Sequence, residues 1–161
     1  TIGIKTSLYT NILVASLIGF LIWNWNPAKI YMGDVGSTFL GSMFCGTILH
    51  SNNWNTCLEL LIIATPLLAD ALICIPRRYF HGQPIFREPH KLHLYQRLYQ
   101  AGWSHSRVSC LYIFGTLCLS ICYLFGNLFT LYLFASAEIA YGLYLDKYVA
   151  VPFKKAISSQ S

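Results

Sequence analysis

Lys29-Ile-Tyr-Met-Gly-Asp-Val-Gly-Ser-Thr-Phe-Leu-Gly41 places a carboxylate, Asp34, where one apolar segment ends and another begins. Gly33, Gly36, Ser37 and Gly41 surround it with small residues, which let a backbone or a ligand come close. The chain has 161 residues, of which 55% are hydrophobic and 11% charged. An acid at such a junction needs a reason, and two are open. It can hold a hard cation such as Mg2+, or it can cap the following helix.

Outward from this stretch the apolar residues come in long runs, at about 8–25, 35–49, 57–75, 108–125 and 128–145. Runs of this kind read as transmembrane helices. The predicted fold is all-α: a polytopic membrane helix bundle of about five transmembrane helices, one domain over 1–161, with one long cytoplasmic loop at 76–107. Trp23, Trp25 and Trp54 suit the aromatic belts, Pro27 stops a helix, and Gly126-Asn127 reads as a tight turn. The chain opens on Thr1, almost inside an apolar run and with no signal-peptide cleavage pattern, so it reads as part of a longer protein. Its six cysteines are scattered, mostly within apolar runs, with no CxxC pair. Neither a zinc ribbon nor a disulfide framework is indicated.

Five spans put successive loops on alternate sides. One side holds Lys29, Arg77, Arg78, Arg87, Lys91, Arg97, Arg107, Lys147, Lys154 and Lys155, and the other holds Lys5 alone. This asymmetry makes the first side cytoplasmic. The net charge of +5 therefore orients the protein in its membrane and calls for no nucleic acid. Asp34 and the basic loop fall on the same face, a pairing that suits a phosphorylated substrate.

In Phe86-Arg-Glu-Pro-His-Lys-Leu-His-Leu-Tyr-Gln-Arg-Leu98, Pro89 suits a helix start, and His90, His93 and Arg97 then fall on one helical face. Two imidazoles and a guanidinium can bind phosphate oxygens, with Lys91 and Arg87 adding to the positive field. Zinc on His-x-x-His is the rival, but neither a Cys nor an HExxH pattern accompanies the pair. A solvated basic helix resting on the headgroups is the plain alternative. Asp70 is either a functional acid within a span or the partner of Arg77 or Arg78, and those arginines can equally anchor at the headgroups. Gly102 can end a helix, Ser104 can cap the next, Trp103 suits the interface, and His105 reads as structural. Gly33, Ser37, Gly41 and Cys45 form a small-residue face on which another helix can pack. His50 and His81 receive no role, and Glu138 in the last run is unexplained.

The segment at 31–41 resembles the Met-Gly-Asp-x-Gly-Ser signature of the polyprenyl-phosphate N-acetylhexosamine-1-phosphate transferases. His93-Leu-Tyr-Gln-Arg-Leu-Tyr-Gln-Ala-Gly-Trp-Ser-His105 is similar to the histidine loop of that family, and Thr65-Pro-Leu-Leu-Ala-Asp70 followed by Arg77-Arg78 fits as well. The form Pro-His-x-x-His-x-Tyr-Gln points to the branch that primes surface polysaccharides. The resemblance implies Mg2+-dependent transfer of a sugar-1-phosphate from a UDP-sugar to undecaprenyl phosphate, with release of UMP, at a bacterial inner membrane. It implies Asp34 as a Mg2+ ligand and catalytic residue, and His93 as a second catalytic residue. Phosphates are expected on His90, His93, Arg97 and Lys91, with Asp70 and Arg87 as further candidates. Tyr95 and Gln96 stand where many relatives carry adjacent histidines. The family's paired aspartates and its Asn-x-x-Asp-Gly motif are absent, so the chain reads as a C-terminal portion, inactive alone. Relatives are often homodimers, though this chain shows no identifiable dimer face. The rival classes are a non-enzymatic membrane module, such as a transporter piece or assembly subunit, and a gene remnant.

Overall fold

The computed structural model describes residues 8–51, 53–84 and 90–158, and the regular structure among them is entirely α-helical. The chain divides into two compact units, one ending at Cys45 and one beginning at Gly46.

The first unit holds α1 (Leu8–Asn24) and most of α2 (Gly33–Leu49), each of 17 residues. At 1.5 Å per residue each helix is about 26 Å long, short of a hydrocarbon core of about 30 Å. The connection folds back on the end of α1. The Lys29 and Ile30 N–H groups donate to the Trp23 carbonyl at 2.8 and 3.3 Å, and the Asn24 amide donates to the Ile30 carbonyl at 2.9 Å. The Lys29 ammonium lies 5.4 Å from the centre of the Trp23 ring. Gly33 has φ 65°, a left-handed conformation that favours glycine. It turns the chain into α2 and sets Asp34 in the first turn. A Cβ built at Gly41 would meet nothing within 4 Å, so no neighbour among the described residues packs on the small-residue face there.

The second unit holds α3 (Trp54–Ile63), α4 (Thr65–Phe80), α5 (Leu94–Gln100), α6 (His105–Phe125), α7 (Leu128–Tyr148) and α8 (Phe153–Ser158). Local chemistry sets many of the ends. Asn53, Ser104 and Asn127 accept at their side chains from the N–H groups of Asn55, Arg107 and Thr130 at 3.0, 3.2 and 2.9 Å, satisfying donors that a helix start leaves bare. Gly102 has φ 97°, closing α5 and leading into the Ser104 cap, as its place in the sequence suggested.

All five expected apolar runs lie on helices, but they differ in reach. α6 and α7, of 21 residues each, are long and apolar enough to cross a membrane. α3 and α4 make a third such span only if the pair counts as one, because they meet at an angle of 81°. The reason is local: Pro66 stands in the first turn of α4, where its missing N–H and its ring prevent continuation of the preceding helix. The Ala64 N–H closes α3 on Leu61 and Ile62. The long loop is also shorter than expected, since α4 runs through Pro76 to Phe80 and α5 fills part of the remainder.

Three small cores join these helices. Leu119, Leu131 and Ala135 bring α6 and α7 together, with Ile62 and Ile63 of α3 against them. Leu98, Val108, Leu145 and Ala150 tie α5 to the start of α6 and the end of α7. Cys74, Leu92, Phe153 and Ala156 dock α8 on α4. Much apolar surface faces outward, with Phe125, Phe129 and Leu72 at least 70% exposed. Helices that are apolar on their outer faces suit lipid rather than water.

Candidate functional site

The end of α4, the start of α6 and the end of α7 meet at one end of the second unit, and α5 lies among them. The charged groups there pair with one another. Asp146 accepts from Arg77 at 2.8 and 3.0 Å, and Arg97 also donates to it. Arg97 is 2% exposed. Its other donors reach the Leu92 carbonyl at 3.1 Å and the Val151 carbonyl at 3.0 Å. The Phe153 ring lies under both guanidiniums, at 5.2 and 5.4 Å. Arg97 was expected to meet phosphates from a helical face shared with His90 and His93, whereas it is committed to protein partners.

The shared face does not form because α5 starts at Leu94, not at Pro89. The Leu94 N–H donates to the Asp70 carboxylate at 2.8 Å, and the His93 N–H donates to the Gln96 side chain at 3.2 Å. These two bonds define the start of the helix and leave His90, Lys91 and Leu92 in non-helical chain. The two imidazoles still meet. Their rings stack at 5.1 Å between centres, and Tyr95 stacks on His93 at 5.6 Å.

Asp70 faces His93, whose Nδ1 lies 3.5 Å from its second oxygen. It does not pair with Arg77 or Arg78, as sequence proximity suggested. Nor are those arginines simple headgroup anchors: Arg77 is bound to Asp146, and Arg78 is buried and donates to the Pro84 carbonyl. The Nδ1 atom of His90 is buried and has no hydrogen-bond partner among the described residues. Burial above all, then the positive neighbours Arg78 and His93, hold the His90 pKa below the ordinary histidine value. Its imidazole is therefore neutral at physiological pH.

Cys74 and Asp146 are the residues that sequence reasoning missed. Cys74 sits one helical turn after Asp70 and offers a sulfur beside both histidines, their ligand atoms all lying within 4.8 Å of one another. Asp146 had one signal: it is the sole acid in the basic tail. Lys91 is exposed, and Arg87 lies outside the described residues. His105 stacks on Tyr99 at 4.0 Å, which fits the structural role expected of it. Below the charged end lies a cavity of about 320 Å3 with mostly apolar walls, bordered by Asp70, Cys74, Leu94, Gly115, Glu138 and Phe153.

In the first unit Asp34 is exposed. It lies inside the first turn of α2. Its carboxylate has no hydrogen bond or ion pair among the described residues.

Residues 3–52, which contain this turn, match the family model described as glycosyl transferase family 4. The motif-based resemblance to this family is borne out. The chain is 37% identical over 108 residues to a probable undecaprenyl-phosphate N-acetylglucosaminyl 1-phosphate transferase of Bacillus subtilis, covering 64% of this chain and 29% of that protein. It is 35% identical to a decaprenyl-phosphate N-acetylglucosaminephosphotransferase of Mycobacterium leprae, over 60% of this chain and 28% of that one. A phospho-N-acetylmuramoyl-pentapeptide-transferase of Staphylococcus saprophyticus is 33% identical, over 63% and 30%. The chain thus spans under a third of the length of these relatives. No solved structure gives a significant match.

Proposed function

We propose that the chain is the C-terminal portion of a membrane enzyme that transfers an N-acetylhexosamine-type sugar-1-phosphate from a UDP-sugar to undecaprenyl phosphate. Asp34 carries the proposal: an exposed carboxylate without a protein partner among the described residues, placed after a left-handed glycine within the family-matched segment. The names of the relatives support a polyprenyl phosphate as acceptor and an activated amino sugar as donor.

In this reaction an oxygen of the lipid phosphate attacks the sugar-bearing phosphorus of the UDP-sugar. The new P–O bond forms as the bond from that phosphorus to the bridging oxygen breaks, and UMP leaves with the bridging oxygen. Negative charge is dense throughout, so catalysis is largely a matter of positioning and charge. A lone carboxylate oxygen donor suits Mg2+. When bound there, the ion would stabilise charge on the phosphates. His90, His93 and Lys91 offer groups to phosphate oxygens, Asp70 holds His93 in place, and Arg97 serves as a strut for the loop. The apolar cavity beside them suits a polyprenyl tail. A cytoplasmic placement of both motif loops, in a bacterial inner membrane, belongs to the same proposal. So does a role in O-antigen-like or cell-wall synthesis.

The test uses the full-length protein, undecaprenyl phosphate, UDP-N-acetylglucosamine and Mg2+, with UMP release as the readout. Asp34→Asn is expected to lower the rate about a thousandfold, the scale of several kcal/mol of lost charge stabilisation. An unchanged Mg2+-dependent rate would sink the proposal.

A further inference from the structure

His-x-x-His at 90–93 lacks a third ligand in its own stretch of sequence, but the fold supplies one. Cys74 on α4 sits sixteen residues before His90, and its sulfur lies within 4.8 Å of a nitrogen of each imidazole, with the two nitrogens equally close to each other. Ligand atoms around a tetrahedral zinc are separated by roughly 3–4 Å, given bonds of about 2.0–2.3 Å. The three groups therefore need only a small adjustment to converge on one ion. His90 adds an independent sign, because its Nδ1 is buried without a hydrogen-bond partner among the described residues. Buried polar atoms in native proteins nearly always have a partner. The carboxylate of Asp70, on the same face of α4 as Cys74, lies 3.5 Å from Nδ1 of His93. A small closure would let it take the Nδ1 proton in a hydrogen bond, the arrangement that orients a ligating imidazole and leaves Nε2 for a metal.

We propose that Cys74, His90 and His93 form a binding site for a thiophilic divalent transition metal, best matched by zinc, with Asp70 orienting His93. A thiolate and two imidazoles select such ions over Mg2+, which prefers oxygen. Three protein ligands leave a fourth position for water or a phosphate oxygen, so with the ion bound the two imidazoles would meet phosphate through it rather than directly. Arg78, a positive neighbour of His90, is anchored on the Pro84 carbonyl, and a thiolate charge would offset its repulsion. The site stands on this geometry alone and does not depend on Asp34 or on the transferase proposal.

The experiment takes the full-length protein in detergent, stripped of metal, and adds Co2+ as an optical probe and Zn2+ for X-ray absorption. Wild type is expected to bind one ion in this site, with a thiolate-to-cobalt charge-transfer band. The zinc shell should contain one sulfur at about 2.3 Å and nitrogens at about 2.0–2.1 Å. Cys74→Ser should abolish the band, while Cys110→Ser, which alters an exposed thiol, should leave it intact. Asp70→Asn should keep the band and weaken binding about 10- to 100-fold; an unchanged affinity removes the orienting role of Asp70. An all-oxygen zinc shell in wild type, which needs no variant to fold, overturns the site. So does a charge-transfer band that survives Cys74→Ser. In either case Cys74 is a packing residue beside Leu92 and Phe153.

Discussion

The aspartates of the two units live in opposite circumstances. In the second unit Asp70 and Asp146 are enclosed, and their oxygens are taken up by His93, the Leu94 N–H, Arg77 and Arg97. In the first unit Asp34 is exposed, and no side chain or backbone donor among the described residues meets it. The enclosed acids hold elements of the fold together, and the exposed one is left for something from outside. The same residue type thus serves assembly in one region and is available for binding in the other.

Four substitutions can break or sharpen this contrast. Asp146→Ala should have the largest effect on folding, since it strands the buried Arg97 guanidinium and frees Arg77. A loss of roughly 3–5 kcal/mol is expected, read as a lower midpoint of thermal unfolding in detergent. A loss below 1 kcal/mol would show that the pairing of Asp146 with Arg77 and Arg97 does not hold these elements together. Asp70→Ala should cost about 1–3 kcal/mol, because the Leu94 N–H loses its acceptor and His93 its neighbouring carboxylate. Hydrogen exchange should quicken at the start of α5 and leave the middle of α6 unchanged. Asn127→Ala removes a local cap at the start of α7, for about 1 kcal/mol. It tests whether the α6–α7 turn depends on the side chain or only on Gly126. Asp34→Asn should change unfolding by no more than about 0.5 kcal/mol, the smallest effect of the set. A clear destabilisation there would mean that Asp34 is structural after all and would erase the contrast.

Sequence reasoning succeeded where the cause is local. Ser104, Gly102 and the Gly126-Asn127 turn act within a few residues of themselves, and the apolar runs announce their helices directly. It failed where a distant partner decides. Asp70 takes the Leu94 N–H from 24 residues away, which moves the start of α5 and takes His90 out of any helical face. Arg97 meets Asp146 across 49 residues, so a guanidinium that looks available is buried. The meeting of Cys74 with the two histidines is equally invisible, because the sulfur lies in an apolar run that reads as simple membrane helix. The place of Asp34 at the start of α2 was legible because glycines flank it and the preceding apolar run ends just before it.

The bend at Ala64 bears on Glu138, halfway along α7. Two separate helices meet at the bend, so the amino end of α4 lies inside the bundle. A Cβ added to Gly115 would touch both Pro66, at 3.2 Å, and the Glu138 oxygens, at 3.3 Å. The bare glycine therefore lets the acid and the Pro66 ring approach the same spot. The break in α3–α4 is thus a packing feature as well as a geometric one: it brings Pro66 to Gly115, beside a carboxyl group one of whose oxygens is buried without a hydrogen-bond partner among the described residues.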